Sequence, residues 1–136
     1  MESLGNLKFF IVDDDPFCRS LYQQHLVNLG FRNNVLFENG YDCIKKLHLH
    51  PDIIFLDYDM QPYNGIEVLQ MIKQYNPHIH LLIISSQKDS EVISAAKKYG
   101  AFDYIPKGDN DLELISNVIL KIGKSRKNIN TISEQA

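Results

Sequence analysis

Two apolar runs in this chain end in carboxylates. Phe9-Phe10-Ile11-Val12 leads straight into Asp13, Asp14 and Asp15, and Ile53-Ile54-Phe55-Leu56 leads into Asp57. Two later runs deliver other polar groups. Leu81 to Ile84 ends at Ser85 and Ser86, and Phe102 to Ile105 passes through Pro106 to Lys107. Acids gathered at the ends of buried segments repel one another and raise each other's pKa unless a cation holds them. The pattern reads as a metal site with one carboxylate left over for chemistry.

The elements that must carry these groups follow from periodicity. Short apolar runs bounded by polar residues read as buried strands. Strand and helix patterns alternate five times, which argues for a parallel sheet with helices on both faces. After the first run, Asp15 is placed to cap a helix whose first position is Pro16. Cys18, Leu21, Tyr22, His25, Leu26 and Leu29 then recur at helical spacing until Gly30. Val35 to Phe37 forms the second strand, and Gly40 opens a second helix that ends before Pro51. The loop from Tyr58 to Asn64 leads through Gly65 into a third helix with Ile66, Val68, Leu69 and Ile72. A fourth helix covers about Ser90 to Tyr99. The last takes Asp109 as its cap and sets Leu112, Ile115, Ile119 and Ile122 on one face.

Right-handed crossovers limit the topology. A flavodoxin-like (βα)5 doubly wound sheet, order 2-1-3-4-5, puts strands one and three side by side at the switch point. Asp13, Asp14 and Asp57 then meet in one crevice, flanked by Ser85 and Lys107. The domain is expected over residues 1–124, with residues 125–136 a polar, disordered tail.

Bulk properties narrow the function. The 136 residues suit one domain, and 44% hydrophobic content is enough for its core. A net charge of −3 gives no electrostatic case for nucleic acid or an anionic membrane. No apolar run approaches the ~20 residues that span a bilayer, and the first thirty residues show no signal-peptide pattern. Cys18 and Cys43 fall at apolar helix positions, so both read as reduced and structural, which fits the cytoplasm. His25 reads as a packed helix residue. His48 and His50 lie two apart on a helix and do not face together, so no metal is expected there. Lys121, Lys124, Arg126 and Lys127 read as complements to a helix C-terminus rather than a nucleic-acid patch.

The strand ends resemble the receiver domain of two-component response regulators, the CheY-like fold, across residues of about 7 to 123. The resemblance rests on Val12-Asp13-Asp14-Asp15-Pro16, Phe55-Leu56-Asp57-Tyr58-Asp59-Met60, Gly65, Ile83-Ile84-Ser85-Ser86 and Tyr104-Ile105-Pro106-Lys107. Ser85 follows Asp57 by 28 positions and Lys107 follows Ser85 by 22, as in that family. The resemblance implies that Asp57 accepts a phosphoryl group from a histidine kinase or histidine phosphotransfer protein. It implies Mg²⁺, with Mn²⁺ as a substitute, bound by Asp14 and Asp57 directly, by Asp13 through water and by the backbone carbonyl of Asp59. It makes Ser85 and Lys107 the groups that meet phosphoryl oxygens, and Tyr104 a switch aromatic that rotates towards the space Ser85 vacates. The output face is then the fourth helix, fifth strand and fifth helix, with Ile93, Lys97 and Leu112 as candidates for contact with a downstream protein. The implied protein is a signalling phosphoacceptor rather than an enzyme, without nucleic-acid or membrane partner, and a monomer or phosphorylation-dependent dimer.

Three departures accompany the resemblance. Gly108 stands after Lys107 where many members carry proline, which implies a looser loop. Pro62 lies one place later than the usual Met-Pro pair because Gln61 intervenes. Asp59 and Gln87 occupy the two positions that modulate phosphoryl hydrolysis in the family. Two other readings compete. Asp57-Tyr58-Asp59 also resembles the first motif of haloacid-dehalogenase phosphatases, but their acidic pair follows the lysine, whereas Asp13 and Asp14 precede the nucleophile here. A receiver-like interaction module without phosphorylation is the other alternative, and the presence of all five site residues argues against it.

Overall fold

Each apolar run becomes a strand of one sheet. The computed structural model describes the backbone of residues 6–135 and the side chains of residues 6–126. The strands are β1 (Lys8–Val12), β2 (Asn33–Phe37), β3 (Ile53–Leu56), β4 (His80–Ser85) and β5 (Asp103–Pro106). All neighbours pair in parallel, in the order β2-β1-β3-β4-β5. The helices are α1 (Pro16–Asn28), α2 (Gly40–Lys45), α3 (Gly65–Tyr75), α4 (Ser90–Lys98) and α5 (Asp111–Gln135), with a short 3₁₀ turn at Leu47–Leu49. The expected doubly wound fold is the one observed.

Strand side chains alternate between two cores, because successive residues point to opposite faces of the sheet. Phe9, Ile11, Phe55, Leu82 and Ile84 pack against Tyr22 and Leu26 of α1 and Ile115, Ile119 and Ile122 of α5. Phe10, Val12, Ile54, Leu56 and Ile83 pack against Cys43 of α2, Val68, Leu69 and Ile72 of α3, and Ala96 of α4. Each such buried side chain contributes about 1.5–3 kcal/mol, so both faces hold the central strands in place. Gly40 allows α2 to lie close on α3: a Cβ there would stand 2.2 Å from Val68 Cγ2.

Helix starts largely follow local chemistry. Asp15 caps α1, accepting from Phe17 N at 2.9 Å, with Pro16 at the first position. Asn64 and Glu67 form a reciprocal capping box on α3. Asp89 caps α4. The start of α5 departs from expectation: the helix begins at Asp111, so Asp109 is not its cap. Asp111 turns inward instead, where the Tyr22 hydroxyl donates to it at 2.9 Å.

The end of α5 departs further. A disordered tail was expected from residue 125, but the helix continues to Gln135, and only Ala136 of that stretch lies outside the described residues. No proline or glycine follows Gly123 to stop it. Arg126 also anchors it, with Nη2 2.7 Å from Asp52 Oδ1, while Asp52 Oδ2 accepts from Lys8 N at 2.9 Å. That contact ties α5 to the N-terminal rim of the sheet. Lys121, Lys124 and Arg126 thus lie along the helix rather than at its C-terminus, and the side chain of Lys127 lies outside the described set.

Candidate functional site at the C-terminal edge of the sheet

Backbone pairing continues one residue past the strands and so aims the site. Asp13 N donates to Phe37 O at 3.1 Å, Asp57 N to Val12 O at 2.9 Å and Lys107 N to Ser85 O at 2.9 Å. The start of α3 presses on the same region. Gly65 N donates to Tyr58 O at 2.8 Å, and a Cβ on Gly65 would lie 2.5 Å from Asp57 O. Only glycine lets the helix approach this closely.

The acidic residues converge as expected. Asp13 and Asp57 are 2% and 5% exposed, whereas Asp14 is open to solvent. Oxygens of Asp13, Asp14 and Asp57 lie within 4.8 Å of one another. Among the described residues no other group of three His, Cys, Asp or Glu side chains converges this way, and His48 and His50 are not part of one. Lys107 Nζ sits 3.0 Å from Asp13 Oδ2 and 3.4 Å from Asp57 Oδ1. Asp13 is further committed: Oδ1 accepts from Asp15 N at 2.9 Å, and its backbone carbonyl accepts from Arg19 Nη1 at 2.7 Å. Arg19 was not singled out from the sequence, since nothing in the spacing shows that a side chain on α1 returns to the strand end.

Burial, then the charge of Asp13, pushes the Asp57 carboxyl up to about 7 against the opposing pull of Lys107. Burial alone would lower Lys107, but its hydrogen bond to Asp13 and the charges of Asp13 and Asp57 outweigh that and raise it. It is therefore a fixed positive charge. Three ionised carboxylates against one ammonium would leave a net charge of −2. Hard oxygen donors with that deficit match a small divalent cation. Access is open on one side, where Asp14, Tyr58, Asp59, Met60, Gln61 and Asn64 line a cleft of about 420 Å³.

Ser85 is fully buried at the end of β4, and its Oγ accepts from Gln87 N at 3.1 Å. Its neighbour Ser86 is exposed. Gln87 is bound on both sides: Oε1 accepts from Lys88 N and Asp89 N, and its carbonyl accepts from the Tyr104 hydroxyl. Its side-chain oxygen therefore serves the start of α4 rather than the acidic crevice. Tyr104 is half-buried against the α2–α3–α4 core. Burial raises its phenol, with the neighbouring Ser85 side chain opposing.

Gln87, Lys88, Ile93, Lys97, Tyr104 and Pro106 line a groove of about 370 Å³ between α4 and β5. Ile93 and Lys97, two of the candidates for the output face, are among its lining residues. Leu112, on α5, does not line this groove and is partly buried against the α1–α5 core. Both cysteines are free, with Cys43 pushed up to about 12 by burial and Cys18 to about 11, also chiefly by burial. Neither is a thiolate near neutral pH.

A parallel five-stranded sheet with an acidic crevice at its switch point has the architecture expected of a receiver module. The chain belongs to the response regulator receiver domain family, whose model matches residues 9–119. Chemotaxis protein CheY of Bacillus subtilis is 31% identical over 116 residues, covering 82% of this chain and 97% of that protein. The DNA-binding transcriptional regulator NtrC of Escherichia coli is 32% identical over 99 residues, covering 72% of this chain. The match spans 21% of that regulator's length. A response regulator receiver domain protein from Clostridium thermocellum shares the fold, with a TM-score of 0.83 at 21% identity, covering 90% of this chain and 98% of that one. Among the described residues, no helix is long and apolar enough to cross a membrane.

Proposed function

We propose that this chain is a phosphoacceptor in a two-component or phosphorelay pathway, taking a phosphoryl group on Asp57 from a phospho-histidine of a sensor kinase or phosphotransfer protein. One observation carries the reading. A buried carboxylate, Asp57, lies within reach of two further carboxylates and of a lysine that contacts it at 3.4 Å.

Asp57 attacks the phosphorus, the phosphorus–nitrogen bond of the donor histidine breaks, and an acyl phosphate forms on Asp57. A carboxylate is a weak nucleophile, so the site must contribute by positioning and by meeting charge on the phosphoryl oxygens. Lys107 serves one oxygen by a short movement from Asp57 Oδ1. Ser85 serves another: its hydroxyl accepts from Gln87 N, which leaves its own proton available to donate. The three converging carboxylates fit Mg²⁺, or Mn²⁺ in its place; Asp14 and Asp57 would hold it directly, Asp13 would act through water, and the Asp59 carbonyl would add a further oxygen. When bound, that ion supplies the remaining neutralisation of the phosphoryl charge.

Asp59, exposed on the cleft wall, modulates hydrolysis of the acyl phosphate, and Gln87 does so only once its side chain leaves Lys88 N and Asp89 N. Transfer and autodephosphorylation are the only chemistry proposed, so the chain acts as a switch rather than an enzyme. Coupling runs from Ser85 through Gln87 to Tyr104, whose hydroxyl is bound to the Gln87 carbonyl. The groove of Ile93, Lys97, Tyr104 and Pro106 is the face a downstream protein reads in the cytoplasm. Mixing the protein with beryllofluoride and Mg²⁺ tests this. Because the chain has seven tyrosines and no tryptophan, tyrosine fluorescence is the probe. A saturable change lost in Asp57→Asn is expected, and no change in the wild type would overturn the reading.

A further inference from the structure

Lys107 is held at the site although glycine follows it. Gly108 is exposed, and a Cβ built on it would meet nothing within 4 Å. Glycine has the widest backbone freedom of any residue, yet Lys107 Nζ keeps both Asp13 and Asp57 within 3.4 Å. The incoming side of the loop is tied by the bond from Lys107 N to Ser85 O. The outgoing side is tied by backbone bonds from Asp111 N to Gly108 O at 3.2 Å and from Leu114 N to Asn110 O at 3.0 Å, both local to the start of α5.

Tyr22 of α1 supplies a long-range tie there. Its hydroxyl donates to Asp111 Oδ2 at 2.9 Å, and the two residues are 2% and 7% exposed. Tyr22 otherwise packs in an apolar cluster with Leu26, Ile115 and Ile119. A buried carboxylate in such surroundings is costly, and an apolar pair would fill the space without that cost. Burial and the adjacent Asp111 raise the phenol, which keeps it a proton donor. The pair sits four residues beyond Lys107, where it clamps the far end of the glycine loop.

We infer that Tyr22 and Asp111 are a positioning pair, clamping residues 108–110 so that Lys107 reaches the phosphoryl site on Asp57. The inference rests on the phosphoacceptor reading and extends it to a contact between α1 and α5.

The test compares Mg²⁺ affinity alone with beryllofluoride affinity in the presence of Mg²⁺. Tyr22→Phe is expected to weaken beryllofluoride by about tenfold, the effect of losing one buried hydrogen bond. Mg²⁺ affinity should not fall, and should rise by no more than about threefold as Lys107 draws away from Asp13 and Asp57, because Asp13, Asp14 and Asp57 are held by β1 and β3 rather than by this loop. Asp111→Asn keeps an acceptor and should behave as the wild type. Gly108 is not in the positive-φ region, so Gly108→Ala fits and narrows the loop. Placed in the Tyr22→Phe background, it should recover most of the loss. If Tyr22→Phe does not fold, Asp111→Ala takes its place with the same expectations. Wild-type beryllofluoride affinity in the variant, parallel loss of Mg²⁺ and beryllofluoride, or no recovery with Gly108→Ala would each overturn the inference. Failure of the wild type itself to bind beryllofluoride would instead overturn the phosphoacceptor reading.

Discussion

Asp57 keeps its proton to an unusually high pH, and metal binding must contend with that proton. Burial and Asp13 lift its carboxyl from the ordinary 3.8 to about 7. An ion that takes Asp57 as a ligand has to expel the proton below that pH and has none to expel above it. Apparent Mg²⁺ affinity should therefore fall about tenfold per pH unit below about pH 7 and level off above it. The gap between the two values is worth at most ~4 kcal/mol, at about 1.36 kcal/mol per unit. The same gap acts on folding without the ion. The folded value lies above the unfolded one, so Asp57 stabilises the fold fully below about pH 4 and loses that contribution as pH rises through about 7. Mg²⁺ should consequently stabilise the protein most at and above neutrality. Titration calorimetry in two buffers of different ionisation enthalpy reads the proton directly. Release of nearly one proton per ion is expected at about pH 6 and almost none at about pH 8.5, with Asp57→Asn showing none at either. Equal affinity across that range with no proton release would refute the reasoning.

Three further outcomes follow from single contacts. Lys107→Ala removes the only cation from Asp13 and Asp57 among the described ion pairs; Mg²⁺ should bind about threefold more tightly or better, while beryllofluoride weakens by at least about tenfold, both read by fluorescence titration. Gly65→Ala forces a Cβ to within 2.5 Å of Asp57 O and should cost about 1–3 kcal/mol in urea denaturation, with weaker Mg²⁺ binding because the Asp57 backbone must shift. Arg126→Ala breaks a half-exposed ion pair with Asp52 and should cost no more than about 1 kcal/mol, with a loss of helical circular dichroism as the end of α5 frays.

Those contacts differ in how well the sequence announces them. Strand positions were legible because β1 and β3 are buried on both faces and so appear as unbroken apolar runs ending at Asp13 and Asp57. Sheet order followed from crossover handedness and from where the acids had to meet. The capping box of α3 is carried by local spacing, with Asn64 and Glu67 three apart on either side of Gly65. Long-range pairings were not legible at all. Tyr22 and Asp111 are 89 positions apart and Arg126 and Asp52 are 74 apart, and neither α1 nor α5 shows its partner in its own periodicity. The first pairing explains why Asp111 turns inward where Asp109 was expected as the cap. The second helps explain why α5 continues where a tail was expected. Leu112, a candidate for the output face through the resemblance, is partly buried against the α1–α5 core, a packing that its chain position does not announce.

The central claim is that Asp57 itself carries the phosphoryl group. Intact mass spectrometry after incubation with acetyl phosphate and Mg²⁺ tests it most directly. One phosphoryl increment is predicted for the wild type, mapping to the peptide that contains Asp57, lost on chelation of Mg²⁺ and absent from Asp57→Asn. An unmodified wild-type mass, or an increment that persists in Asp57→Asn, would contradict the account.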